Sequence, residues 1–289
     1  MKAATPQGSL VADNWVSRSN GGAGMAEQDI AGAADALVMA RRVAADLAAS
    51  RAFRLIGGLD PGAMDRAYAV QDALTGLRGG ADAVGGYKLA FNSTGSRAYY
   101  GLSEGCTAPL YRRDIRADGI PLRRAGFHSL VIEPEICLEL GTDLHFRPGL
   151  TPQDALTAIA AVRPAVEVMD HRGAFALNPS AAQAVAQGIY TAGAVLGAPV
   201  APGLLALRHD IITRLSIGGV EVAAQLDGAP QDPAAALVWA AGALARRGLR
   251  LRAGMILMCG THLPVQAITG PGMVRVDMGI FGSVGFSVV

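Results

Sequence analysis

Between Leu130 and Leu140, apolar and polar positions alternate. Leu130, Ile132, Pro134, Ile136, Leu138 and Leu140 fall on one face, and Glu133, Glu135, Cys137 and Glu139 fall on the other. A period of two belongs to an extended chain, so residues 128–140 are predicted as the clearest strand. The N-terminal region has a longer period. Over residues 26–50, Ile30, Ala34, Leu37, Val38, Ala44 and Leu47 recur at helical spacing. A second helix is predicted from Asp60, as cap, and Pro61, at the first helical position, with Met64, Ala67, Tyr68, Gln71 and Leu74 along one side.

Beyond residue 80 the signals change to short strands. Residues 86–91 read as a strand, followed over 92–109 by a loop rich in Gly, Ser and Thr. Thr151, Pro152 and Asp154 supply the cap, the proline and the acidic group of a helix start, and that helix is expected to reach residue 162. A strand over 164–169 carries Glu167, and residues 211–225 read as two strands joined at Gly218-Gly219. Asp232-Pro233 opens another helix, closed by Arg246-Arg247 and Gly248. Strands over 255–259, 273–278 and 282–288 finish the chain. The pattern predicts an α+β, β-rich fold in three parts: a flexible extension over 1–26, a helical part over 27–80 and a β-rich core over 81–289.

Composition narrows the class. The 289 residues are 51% hydrophobic, enough for a large core with a helical appendage. A net charge of +1, with no basic arm, gives no surface for nucleic acid or anionic membrane. Three cysteines without a CxxC spacing, and no signal-peptide layout, point to a reducing cytoplasm rather than a disulfide framework. Residues 173–207 lack Asp, Glu, Lys and Arg, but Pro179, Pro199 and Pro202 interrupt them. They fall short of the roughly 20 apolar residues of a membrane span and read as buried core. No nucleophile elbow, phosphate-binding loop or dinucleotide fingerprint occurs.

The carboxylates carry the chemistry. Glu133 and Glu135, two apart on a strand, point the same way with Cα atoms about 6.5–7 Å apart, close enough to converge on one cation. Like charges so close need compensation if buried, and Mg²⁺ or Mn²⁺ suits carboxylate oxygens. The competing reading is a solvent-facing side of an edge strand, which Pro134 between the two glutamates favours. Glu139 lies too far along to join them. Glu167 interrupts an apolar strand, and so does Lys88, whose partner there is expected to be a carboxylate or a substrate anion.

These segments resemble the 2-keto-4-pentenoate hydratase and 4-oxalocrotonate decarboxylase family, relatives of fumarylacetoacetate hydrolase. The resemblance rests on residues 67–71 (AYAVQ), 86–89 (GYKL), 132–136 (IEPEI), 164–168 (PAVEV), 232–239 (DPAAALVW), 259–261 (CGT) and 281–284 (FGSV), in that order from about residue 65 to the C-terminus. It implies a fumarylacetoacetate hydrolase-like β-roll core and a homo-oligomer. By position it makes Glu133, Glu135 and Glu167 the ligands of Mg²⁺ or Mn²⁺. Lys88 then lies beside the substrate carboxylate, Gly260 and Thr261 contact that carboxylate, and Gln71 is a supporting polar group. The implied substrate is a small keto or dienoic acid from late steps of aromatic-ring breakdown. The first expectation is hydration of a 2-hydroxy-2,4-dienoate to a 4-hydroxy-2-keto acid. Decarboxylation or acylpyruvate-type C–C hydrolysis could use the same metal site, and a non-catalytic keto-acid binder is the reading from another class.

The sequence departs from the family in three places, one of them the Gly-rich stretch usually preceding the Asp-Pro helix, which is here Ala223 to Gln231. The loop after the lysine strand usually carries a Pro-Asp-aromatic-Gly run, and here it is Gly105-Cys106-Thr107-Ala108, with Glu104 the nearest carboxylate. An Asn/Ser-rich turn is replaced by Gln187-Gly188-Ile189-Tyr190. Cys106 is a candidate substitute for the missing acid, as opposed to a packing residue. His171, just after the Glu167 strand, is a candidate acid/base, and His262 is a second residue placed to face substrate.

Overall fold

The computed structural model describes residues 27–289, so the extension expected over 1–26 lies outside the described residues. The strands are β1 (Val84–Ala90), β2 (Cys106–Tyr111), β3 (Ile115–Ala117), β4 (Leu130–Leu140), β5 (Ile159–Asp170), β6 (Thr191–Leu196), β7 (Ile212–Ile217), β8 (Val220–Leu226), β9 (Ile256–Thr261), β10 (Gln266–Ala267), β11 (Gly272–Asp277) and β12 (Ser283–Val288). The large sheet runs β2-β1-β9-β4-β5-β6-β3, with β10 also on β4, and the small one runs β12-β11-β7-β8. With helices at the N-terminus and between strands, this is the expected α+β, β-rich architecture.

β4 is interior, which corrects the edge-strand reading of Pro134. It pairs antiparallel with β5 along its whole length and with β9 on its other side. Pro134 is tolerated because the β4–β9 ladder shifts register between Glu135 and Cys137, next to the position that lacks an N–H. The free Pro134 carbonyl accepts from His262 N at 2.8 Å.

Both faces of β4 are covered, and by different partners. Leu130, Ile132, Ile136, Leu138 and Leu140 join one core with Leu215, Val274, Val276, Val284 and Phe286 of the small sheet and Leu237 and Leu244 of the helix Pro233–Ala245. Val131 belongs to a second core with Ala67, Val70 and Leu74 of the helix Met64–Leu77 and Ala182 and Val185 of the helix Ala181–Ala186. The glutamates share the second face, beneath the helices.

Several boundaries differ from expectation for local reasons. The first helix, Glu27–Ala48, buries Ala36, Met39, Ala40 and Val43 and leaves Val38 exposed. Its alanines make most of the circumference apolar, so periodicity alone did not phase it. The second helix starts at Met64, because residues 60–62 form a turn closed by Ala63 N on Asp60 O. The helix from Thr151 keeps its capping box but ends at Leu156, and β5 begins at Ile159. The loop expected over 92–109 contains the helix Thr94–Tyr100 and most of β2, and the uncharged stretch 173–207 holds the helix Ala181–Ala186 and β6.

Gly86 marks a close approach between strands. A Cβ there would lie 2.1 Å from Ile256 O and 2.7 Å from Ile256 N, within the parallel β1–β9 pair. Gly86→Ala is therefore expected to lower stability by about 3 kcal/mol through overpacking against backbone. Gly95→Ala, where the added carbon meets nothing within 4 Å, is the neutral control. Thermal unfolding of both variants checks this, and equal melting temperatures would refute the close approach.

Candidate metal and substrate site

The β4–β5 register sets Glu133 opposite Glu167, and Glu135 follows two residues on along the same face. One oxygen from each of the three lies within 4.8 Å of the other two. Glu135 and Glu167 are fully buried and Glu133 partly so. Glu135 Oε2 accepts from Gly260 N at 2.6 Å, and Glu167 Oε1 accepts from Lys88 Nζ at 2.5 Å. Glu135 Oε1 and Glu167 Oε2 are buried without any hydrogen-bond partner. Oxygens of that kind are costly unless a cation takes them.

Burial, then the neighbouring Glu167 charge, pushes the Glu133 carboxyl up to about 7, with Lys88 acting in the opposite direction. Burial, reinforced by Glu167 and Glu133, holds Glu135 well above the ordinary carboxylate range. Glu167 is raised by burial and brought partly back by Lys88. Three carboxylates, one ammonium and one divalent cation sum to zero formal charge, so the donor set fits a hard divalent ion.

Lys88 reaches the cluster from β1 although β9 and β4 lie between it and β5 in the sheet. It is almost wholly buried, and its Nζ also lies 3.5 Å from Met169 Sδ. Gly260 has φ +106° and no room for a side chain, since a Cβ would stand 2.7 Å from both Asn92 Nδ2 and Pro230 Cγ. Only glycine brings its N–H so near Glu135. Asn92 braces this turn by donating to Cys259 O at 3.0 Å.

Glu133, Lys88 and Thr261 open onto a cavity of about 250 Å³ whose wall includes Phe91, Asn92, Tyr100, Phe175, Ile189 and Tyr190. A larger cleft, about 510 Å³ and lined by Arg78, Arg116 and Arg172 among others, contains none of the three carboxylates.

The other sequence candidates separate. Thr261 lines the cavity, but its hydroxyl is engaged by Leu263 O at 2.5 Å. Gln71 lies outside the cavity, bonding Thr107 O, Val185 O and Arg247 Nη2, so that it ties helices to β2. His171 stacks on Phe175 at 4.0 Å between centroids, and only Phe175 lines the cavity; burial lowers the histidine below its usual range. His262 is bonded to Thr213 Oγ1 at 2.9 Å, and burial pushes it down to about 4. Cys106 and Glu104 line a different cavity of about 260 Å³. The Cys106 thiol is pushed up to about 11 by burial, and Glu104 accepts from Trp239 Nε1 and Arg246 Nη2. The sequence reading missed Asn92 and the aromatic wall. Phe91 and Asn92, at the junction of the lysine strand and its loop, were the one local cue.

No family model matches the chain. Among curated proteins it is 29% identical over 204 residues to 4-oxalocrotonate decarboxylase of a Pseudomonas species, covering 70% of this chain and 77% of that protein. It is 28% identical over 230 residues to 2-oxo-hept-4-ene-1,7-dioate hydratase of Escherichia coli, covering 76% and 85%. Its fold superposes on that of 4-oxalocrotonate decarboxylase from Pseudomonas putida G7, solved with magnesium and adipate, at a TM-score of 0.80 and 22% identity, covering 89% of this chain and 98% of that one. The fold is also shared with fumarylpyruvate hydrolase from Pseudomonas aeruginosa, solved with Mn²⁺ and pyruvate, at a TM-score of 0.52 and 13% identity, covering 70% of this chain and 88% of that one. Both curated relatives are enzymes, and the chain is similar to them at just under 30% identity, which fits the resemblance to the 2-keto-4-pentenoate hydratase and 4-oxalocrotonate decarboxylase family. No helix among the described residues is long and apolar enough to cross a membrane.

Two outcomes follow from the charge cluster. Glu135→Gln keeps an acceptor for Gly260 N while removing a buried charge. It is expected to weaken Mn²⁺ binding at least ~100-fold and to raise the melting temperature of the chelator-treated protein. Unchanged Mn²⁺ affinity by calorimetry would remove Glu135 from the site. Secondly, the folded state holds these carboxyls above the ordinary value of 4.5, with Glu133 at about 7. Their contribution to stability is therefore fully present below about pH 4.5 and lost as the pH rises through about 7. The metal-free protein should melt lower at about pH 8 than at about pH 6, and the gap should shrink in a Glu133→Gln/Glu135→Gln variant. A gap of the same size in that variant would assign the pH dependence elsewhere.

Proposed function

We propose that the protein is a divalent-metal-dependent hydratase acting on a 2-hydroxy-2,4-dienoate, or the equivalent 2-keto-enoate, to give a 4-hydroxy-2-keto acid. The observation that carries the reading is the trio of clustered carboxylates, two of them fully buried with unpartnered oxygens, beside Lys88 and a cavity that Glu133 lines. Glu133, Glu135 and Glu167 would hold Mg²⁺ or Mn²⁺. The ion, when bound, supplies Lewis-acid polarisation of a 2-keto acid's oxygens.

The chain's own groups do the rest. Lys88, held by Glu167, places an ammonium where a substrate carboxylate meets the cluster and stabilises negative charge developing on the 2-oxygen. Asn92 and Gly260 fix the turn that carries the Glu135 hydrogen bond. Hydration to the keto acid adds a proton at C5 and a hydroxyl at C4 of the dienoate, while the 2-hydroxyl gives up its proton and C3 gains one. The phenols of Tyr100 and Tyr190, both raised by burial, stay neutral and border the same cavity as proton-bearing groups. Neither Cys106 nor Glu104 borders it, so the substitute for the family's loop acid is sought among the tyrosines.

Decarboxylation is the second reading, favoured by the likeness to the Pseudomonas decarboxylases in sequence and in fold. It would use the same cluster, with the bond to CO₂ breaking instead of water adding. Freshly generated 2-hydroxypenta-2,4-dienoate separates the two. Chelator-sensitive loss of its ultraviolet absorbance, with 4-hydroxy-2-oxopentanoate as product, is the expected result. No loss above background would sink the hydratase reading. Lys88→Met is expected to raise KM and lower kcat/KM by at least ~100-fold, and unaltered kinetics would make Lys88 structural.

A further inference from the structure

Seven non-glycine residues among those described adopt positive φ, and three of them line the same cavity as Glu133. They are Phe91 at φ 52°, Ile189 at φ 48° and Tyr190 at φ 62°. Bulky residues persist in the left-handed region only where their surroundings over-determine them, and such residues concentrate at ligand clamps. Ile189 and Tyr190 also stand at one of the three places where the sequence departs from the family it resembles.

Their side chains build an aromatic wall. The Phe91 and Tyr100 rings lie 4.4 Å apart, and Phe175 meets Tyr190 edge to face at 5.6 Å. Met169 and Val265 complete the apolar lining. Among the described residues of this lining, Lys88 is the sole cation, and Glu167 already engages it. Ser93 and Ser96 are bonded to each other, at 2.8 Å. What is left is two neutral phenols, which do not offset the desolvation of an anion.

We propose that this aromatic box receives an uncharged, apolar tail. The site then takes 2-keto or 2-hydroxy-dienoic monocarboxylic acids bearing an alkyl or phenyl substituent and discriminates against acids with a second carboxylate. This assignment rests on the proposed binding of the keto-acid head by the metal cluster and Lys88. Phe91, Tyr100, Phe175 and Tyr190 are its specificity determinants.

The test is calorimetric binding of unreactive keto acids to the Mn²⁺-loaded protein. Pyruvate serves as the bare head, 2-oxohexanoate and 2-oxo-4-phenylbutanoate as apolar tails, and 2-oxohexanedioate as the charged tail. Both apolar acids are expected to bind at least ~10-fold tighter than the dioate. Phe91→Ala should weaken 2-oxo-4-phenylbutanoate about 10-fold and leave pyruvate unchanged, a split that a merely structural role would not produce. Phe175 is 46% exposed, so Phe175→Arg buries no charge and keeps the question open to measurement if the Phe91 variant does not fold. It should reverse the preference toward 2-oxohexanedioate. A dioate that binds the parent as well as 2-oxohexanoate does, while pyruvate binds normally, overturns the tail assignment alone. Failure of every acid, pyruvate included, overturns the head-group reading and this assignment with it.

Discussion

Three carboxylates are held within a few ångströms of one another where water does not reach two of them, and the surrounding structure answers to that repulsion. The β4–β5 register produces it, because residues directly opposite in an antiparallel pair share a face and Glu133 stands against Glu167. Lys88 compensates one charge and the Gly260 N–H partly compensates another. Glu135 Oε1 and Glu167 Oε2 are left without a hydrogen-bond partner, and such a donor set suits a hard divalent ion. The glycine at 260 and the asparagine that braces it follow from the same need. A backbone N–H approaches a buried carboxylate this closely only if no side chain intervenes.

The two faces of β4 divide the labour of the molecule. Its Leu and Ile residues weld the large sheet to the small one and to the helix Pro233–Ala245, and they carry stability. Its acidic residues look into the layer roofed by the helices Met64–Leu77 and Ala181–Ala186, where a cavity remains open. Such a strand is buried on both sides, yet it alternates like a half-exposed one. The polar half of the alternation faces an internal site instead of solvent.

The departures from the family sort themselves spatially. The segment around Cys106, which lacks the usual acid, faces a separate cavity walled by Trp239 and Arg246. The segment Gln187–Tyr190 delivers two of its residues, Ile189 and Tyr190, to the cavity that Glu133 lines. The carboxylate end of the site thus lies in the segments that carry the family resemblance, while part of the cavity wall comes from a segment that departs from it.

Most strand and helix types, the carboxylates that cluster and the family resemblance were legible in the sequence. Each is written locally: the alternation around Glu133 and Glu135, the cap at Thr151 to Asp154, the Gly218-Gly219 turn, and the lone Glu167 and Lys88 in apolar runs. Local signals reach only a few residues, so they did not say that β4 is interior, that Gln71 is a structural tie, or that His171 stands behind Phe175. The cavity wall is drawn from segments near residues 91, 100, 175, 190 and 265, which no periodicity links. Their meeting depends on sheet order and on how the helices cover it, and that is decided by packing over the whole chain rather than by any stretch of it.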